Sequence, residues 1–83
     1  MYAIIIKPKA QKRLHSLSKK DQKKIATLID ILKEKPLAGK QLEGKYEGFH
    51  SLRAWLYRII YMVDHKIITV TVVKIEHRKD AYR

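Results

Sequence analysis

The sequence contains no cysteine, two prolines, three glycines, one tryptophan and one phenylalanine in 83 residues. Without cysteine there is no disulfide framework, no iron-sulfur cluster and no thiolate zinc site. The sparse glycines form neither a phosphate-cradling loop nor a nucleophile elbow. His15, His50, His65 and His77 fall at no standard metal-ligand spacing, so neither a metal nor a cofactor is expected. No apolar run approaches the roughly 20 residues of a membrane span, and the apolar stretch in residues 1–7 is too short for a signal peptide. These absences describe a soluble, cytoplasmic protein. Its length suits one domain over residues 1–83, with a single core and no room for a deep enclosed cavity.

Acidic residues are also scarce: 8 against 19 lysines and arginines, a formal charge of +11. Such an excess calls for a polyanionic partner, whether nucleic acid, an anionic membrane or an acidic protein, unless it serves solubility alone. Lys7, Lys9, Lys12, Arg13, Lys19, Lys20, Lys23 and Lys24 meet only Asp21 in their stretch of chain, and the C-terminus adds Lys74, Arg78, Lys79 and Arg83. A membrane-surface helix would carry Trp or Phe on its apolar face; the basic segments here carry aliphatics, which favours nucleic acid over membrane.

The hydrophobic pattern divides the chain in two. Residues 2–6 form a short β-branched run, read as a first strand buried on both faces. Pro8 then suits the first turn of a helix whose apolar positions are Ala10, Leu14 and Leu17. Ser18, with Asp21 three residues on, restarts the helical pattern, and Ile25, Leu28, Ile29 and Leu32 continue it until Pro36. Residues 37–47 read as a loop closed by Gly48. Beyond it the period changes to two, predicting strands over 49–53, 56–63 and 67–75, with Asp64, His65 and Lys66 as a hairpin turn. The predicted fold class is α+β: an N-terminal strand, a helical hairpin and a three-stranded antiparallel meander, forming one sheet covered by two helices on one face.

Within the 56–63 strand, Tyr57, Ile59, Tyr61 and Val63 point one way and Arg58, Ile60 and Met62 the other. An arginine on a strand needs solvent, an acid or a ligand for its head group. Arg58 therefore either reaches a carboxylate such as Glu43, Glu47 or Asp80, or faces the open side of the sheet and grips a phosphate with its planar fork, where Arg53 and Arg78 can join it. Most aromatic residues fit a core. Trp55 is the exception, because it falls in the tight turn between two strands and is available to stack on a nucleobase. His15 and His65 read as solvated, whereas His50 and His77 sit at strand ends beside arginine.

Taken together, the Leu42-Glu-Gly44 segment, the Leu52-Arg53 pair, the Tyr57-Arg-Ile-Ile-Tyr61 strand and the closing His77-Arg-Lys-Asp-Ala-Tyr82 resemble the RelE branch of the RelE/ParE toxin superfamily across nearly the whole chain. The resemblance implies a small basic toxin of a type II toxin-antitoxin system. Such a toxin cuts messenger RNA in the ribosomal A site and is held inactive by a cognate, RelB-like antitoxin in a hetero-oligomer. It also implies roles for residues: Arg58 and Arg78 on the scissile phosphate, Tyr82 positioning or stacking on the substrate, and Arg53 as a supporting phosphate contact; Trp55 by its turn position, and Lys74, Lys79 and Arg83 by their charge, are further candidates for RNA contacts. Metal-free RNA cleavage uses the neighbouring 2′-hydroxyl as nucleophile, so arginines and one or two titratable groups suffice. In the best-studied branch two lysines on the second strand assist; the matching stretch here is Phe49-His50-Ser51. An imidazole, with an ordinary pKa of about 6.5, can take that role, which makes His50 a candidate base and His77 an alternative base or acid. Two other readings stay open: a ParE-like gyrase poison that cuts nothing, and a relative that binds ribosomal RNA without cleaving.

Overall fold

A computed structural model describes residues 1–79; residues 80–83, and with them Asp80, Tyr82 and Arg83, lie outside the described residues. The elements are β1 (Ala3–Ile6), α1 (Pro8–His15), α2 (Lys19–Glu34), β2 (Lys40–Gln41), a 3-10 turn (Gly44–Tyr46), β3 (His50–Ala54), β4 (Tyr57–Asp64) and β5 (Thr69–His77). The α+β class and the helical pair are as expected. The sheet has five strands in the order β1-β5-β4-β3-β2, one more than expected. The addition is β2, whose two residues pair with Ser51 and His50 inside the segment read as a loop; two residues are too few to show a period.

Local chemistry sets the helix boundaries. Lys7 is extended, as a residue before proline must be, and Pro8 opens α1. The Ser18 hydroxyl accepts a hydrogen bond from the Asp21 N–H at 3.2 Å, capping α2, and the Asp21 carboxylate sits in the first turn where the helix dipole favours it. Ala10 and Leu14 of α1 and Ile25, Ile29 and Leu32 of α2 are buried against Tyr57, Ile59, Tyr61, Val70, Val72 and Ile75. Both helices therefore cover the same face of the sheet. Gly39 allows a close approach: its N–H donates to the Tyr61 hydroxyl at 2.9 Å, and a Cβ there would lie 2.6 Å from that oxygen.

Three details depart from the sequence reading. β1 is not buried on both faces: it is the outermost strand, parallel to β5, with Ile4 turned towards the core and Ile5 half exposed. β5 begins at Thr69, because Asp64 accepts from the N–H groups of Lys66 and Ile67 and extends the turn; Ile67 and Ile68 are exposed in it. Finally, the β4–β5 register moves from Ile60↔Lys74 to Tyr61↔Val72, leaving Val73 as a bulge. The extra residue lets Val72 and Ile75 face the same core despite their odd spacing. It also sets Glu76 opposite Arg58 and His77 opposite Tyr57.

Candidate active site

The short turn between β3 and β4 gathers the candidate residues. Arg53 and Arg58 are direct register partners on the sheet face away from the helices, since Ala54 and Tyr57, one position over on each strand, are buried in the core. Like charges placed opposite each other on a sheet repel. Relief from Glu76, the neighbour of Arg58 on β5, is diverted: its carboxylate lies 2.8 Å from the Lys74 ammonium. Arg78 comes to the same place because its N–H donates to the Leu56 carbonyl at 2.6 Å, tying the chain beyond β5 to the turn. Arg53, Trp55, Tyr57, Arg58 and Arg78 line one small open cleft. Among the described residues, no carboxylate pairs with any of its three arginines. Glu43 and Glu47 do not pair with Arg58, and Asp80 lies outside the described residues.

Trp55 occupies the first central position of the two-residue turn with φ 60°, and Leu56 after it keeps a negative φ. This is the pattern of a II′ turn, whose first position usually belongs to glycine. Trp55 is 60% exposed, and the Lys24 ammonium lies 4.0 Å from its ring centroid.

Tyr57 was expected in the core, and its ring is there, but it also borders the cleft. Its hydroxyl donates to the Asp21 carboxylate at 3.1 Å. Burial first, and then that hydrogen bond, raise its pKa above the usual phenol value, so it stays protonated and is no general base. The His77 ring meets Tyr57 edge-on at 5.2 Å. Its Nδ1 accepts from the Lys79 N–H at 3.1 Å, which assigns the proton of a neutral ring to Nε2. His77 is thus a hydrogen-bond donor through Nε2, on the Tyr57 side of β5 and outside the cleft lining.

His50 is not brought to the cleft. It pairs with Tyr61 and stacks on that ring at 5.2 Å and 20°, on the helix-covered side, because three steps along a regular strand separate it from Arg53 and turn it to the other face. Its Nδ1 is buried without a hydrogen-bond partner, and burial, followed by repulsion from His65, lowers its pKa. His65 accepts or shares a 2.7 Å hydrogen bond with the Tyr2 hydroxyl. Lys74 lies beside Lys9 and Arg13 of α1, at the flank of β5, away from the cleft lining. Lys79 is exposed next to Arg78. Tyr82, given a substrate contact by the resemblance, and Arg83, an RNA-contact candidate by its charge, lie outside the described residues. Among the described residues no cluster of His, Asp and Glu is arranged to hold a metal ion, and no helix is long and apolar enough to cross a membrane.

The sequence profile of the ParE toxin of the type II toxin-antitoxin system parDE matches residues 4–82. Toxin RelG of Mycobacterium tuberculosis is 35% identical over 54 residues, 65% of this chain; the match spans 62% of that relative's length. The fold superimposes with TM-score 0.87 on a chain of the RelBE2 toxin-antitoxin complex of M. tuberculosis, at 28% identity over 93% of this chain and 98% of that one. A chain of the archaeal RelE–RelB complex of Pyrococcus horikoshii gives TM-score 0.81, 28% identity, and coverage of 93% and 94%. The chain belongs to the ParE toxin family of type II toxin-antitoxin systems, within the RelE/ParE superfamily.

Proposed function

We propose that the protein is a ribosome-dependent messenger RNA endonuclease that inhibits translation by cleaving the message in the A site. One observation carries this reading: Arg53, Arg58 and Arg78 converge on a single open cleft with no carboxylate paired to them among the described residues. Three guanidiniums held together against their repulsion are suited to a phosphodiester, whose charge rises as a 2′-hydroxyl attacks phosphorus. Arg58 and Arg78 take the non-bridging oxygens and supply the positive charge that a metal ion would otherwise bring. The departing 5′-oxygen takes its proton from water or a ribosomal group, and the His77 Nε2–H offers it a hydrogen bond. Among the described cleft residues Tyr57 is a donor and the arginines are fully protonated, so the 2′-hydroxyl proton passes to water or to a ribosomal group. A need for such a group agrees with ribosome dependence.

The solved relatives are complexes with antitoxins, and the same cleft would be neutralised here by an acidic segment of a cognate RelB-like antitoxin. The match to the ParE profile favours a second reading, a gyrase poison without nuclease activity. Induction in cells separates them. Fragmented messages with intact DNA are expected; DNA breaks and filamentation with intact messages would transfer the assignment to the gyrase reading, and stalled translation with intact messages to a non-cleaving ribosome binder.

A further inference from the structure

A groove runs from the arginine cleft to α2. Its lining is Lys24, Thr27, Leu28, Arg53, Ala54 and Trp55, and it shares Arg53 and Trp55 with the cleft. We infer that this groove is a nucleobase subsite. It takes one unstacked base of the substrate RNA, next to the scissile phosphate, against the Trp55 indole, and it does so without selecting among the bases. The inference rests on the endonuclease reading and adds to it the part of the nucleotide that the arginines do not hold.

Four observations support the subsite. Trp55 is held at φ 60°, a conformation costly for a bulky side chain, while 60% of it remains exposed, so neither turn geometry nor core packing accounts for an indole there. Lys24 and Arg53 make the groove cationic and, among the described residues, no carboxylate lines it, which suits a nucleotide better than a basic or purely apolar peptide segment. The shared residues mean that a phosphate in the cleft places its own nucleotide at the groove. The uncharged lining has little with which to read a base edge, since the Thr27 hydroxyl donates to the Lys23 carbonyl at 2.9 Å and Leu28 and Ala54 are apolar; of the two cations, Lys24 is engaged with the Trp55 ring at 4.0 Å and Arg53 is shared with the phosphate cleft. Stacking on an indole accepts any base, with purines favoured only by their larger rings.

The chain's single tryptophan makes the proposal directly measurable. The probe is a non-cleavable 2′-O-methyl RNA trinucleotide, intact or lacking its central base, titrated at low salt against the full chain. The intact probe is expected to quench the Trp55 emission and to bind roughly 5- to 150-fold more tightly than the abasic one. Trp55→Gly, which suits the positive φ and preserves the turn, is expected to abolish that difference, while Arg58→Ala weakens both probes alike. Equal affinities with Arg58→Ala still weakening both would overturn the subsite and leave the phosphate cleft standing. Base-dependent quenching untouched by Arg58→Ala would uphold the subsite and count against the cleft. No binding of either probe would overturn the subsite. On ribosomes, a message made abasic beside the cleaved bond is expected to be cut more slowly; cleavage as fast as that of the intact message would assign the stacked base to ribosomal RNA and overturn the proposal.

Discussion

β4 carries two environments one residue apart. Tyr57, Ile59 and Tyr61 face the helices, where the Tyr61 hydroxyl is satisfied by the Gly39 N–H and that of Tyr57 by Asp21. Arg58, between them, faces away, with another arginine opposite it and the adjacent glutamate engaged by Lys74. On the covered face the Nδ1 of His50 is the single buried side-chain nitrogen or oxygen left without a hydrogen-bond partner among the described residues. On the open face repulsion is left standing. Stability resides in the first and the capacity to bind an anion in the second, so the two should respond separately to mutation.

The largest separation should come from Leu32→Ala, which empties a fully buried site and should cost about 2–5 kcal/mol in denaturant unfolding, with any surviving folded fraction still active. Arg58→Ala should do the reverse, lowering cleavage by about a hundred-fold or more while changing stability by no more than about 0.5 kcal/mol. A large stability loss in Arg58→Ala would mean that the open face is structural after all. Ser18→Ala removes the α2 cap and should cost about 1 kcal/mol, with cleavage per folded molecule unchanged.

His50 sharpens the comparison through pH. Its folded-state pKa lies below the unfolded value, so the unfolded chain takes up the proton first. Stability is then complete above about pH 6.5 and is lost as pH falls through the lowered folded value. Melting curves at pH 7.5 and 5 should show this acid loss, and His50→Gln should reduce it without removing cleavage; abolished cleavage in a folded His50→Gln protein would restore His50 as the base. The smallest effect expected is in the salt dependence of single-stranded RNA binding, where Arg53→Ala should lower the slope of log K against log salt by about 0.7, the share of one phosphate contact.

Much of this arrangement is legible in the sequence because two rules sufficed. Alternation along β4 separates Arg58 from Tyr57 and Ile59, and a turn between two period-two segments exposes Trp55. The same alternation, counted from Arg53 back to His50, already turns that histidine to the covered face; the resemblance, by aligning His50 with the position of catalytic lysines, argued the other way. The bulge at Val73 cannot be read from a run of β-branched residues, yet it decides that Glu76 stands beside Arg58. Nor does any local pattern foretell that Asp21, 36 residues from Tyr57 and at a helix start, holds that hydroxyl. Ile67 and Ile68 extended the predicted strand too far because Asp64 captures the backbone amides that follow it.

The central claim is that the arginine cleft cleaves message on the ribosome. Its most direct test is primer extension on a defined message incubated with the protein, with and without ribosomes, beside an Arg58→Ala/Arg78→Ala variant whose fold is verified by circular dichroism. New 5′ ends appearing only with ribosomes, and absent for the variant, are the expected result. Intact message with the unmodified protein, or equal cleavage by the folded variant, would contradict it.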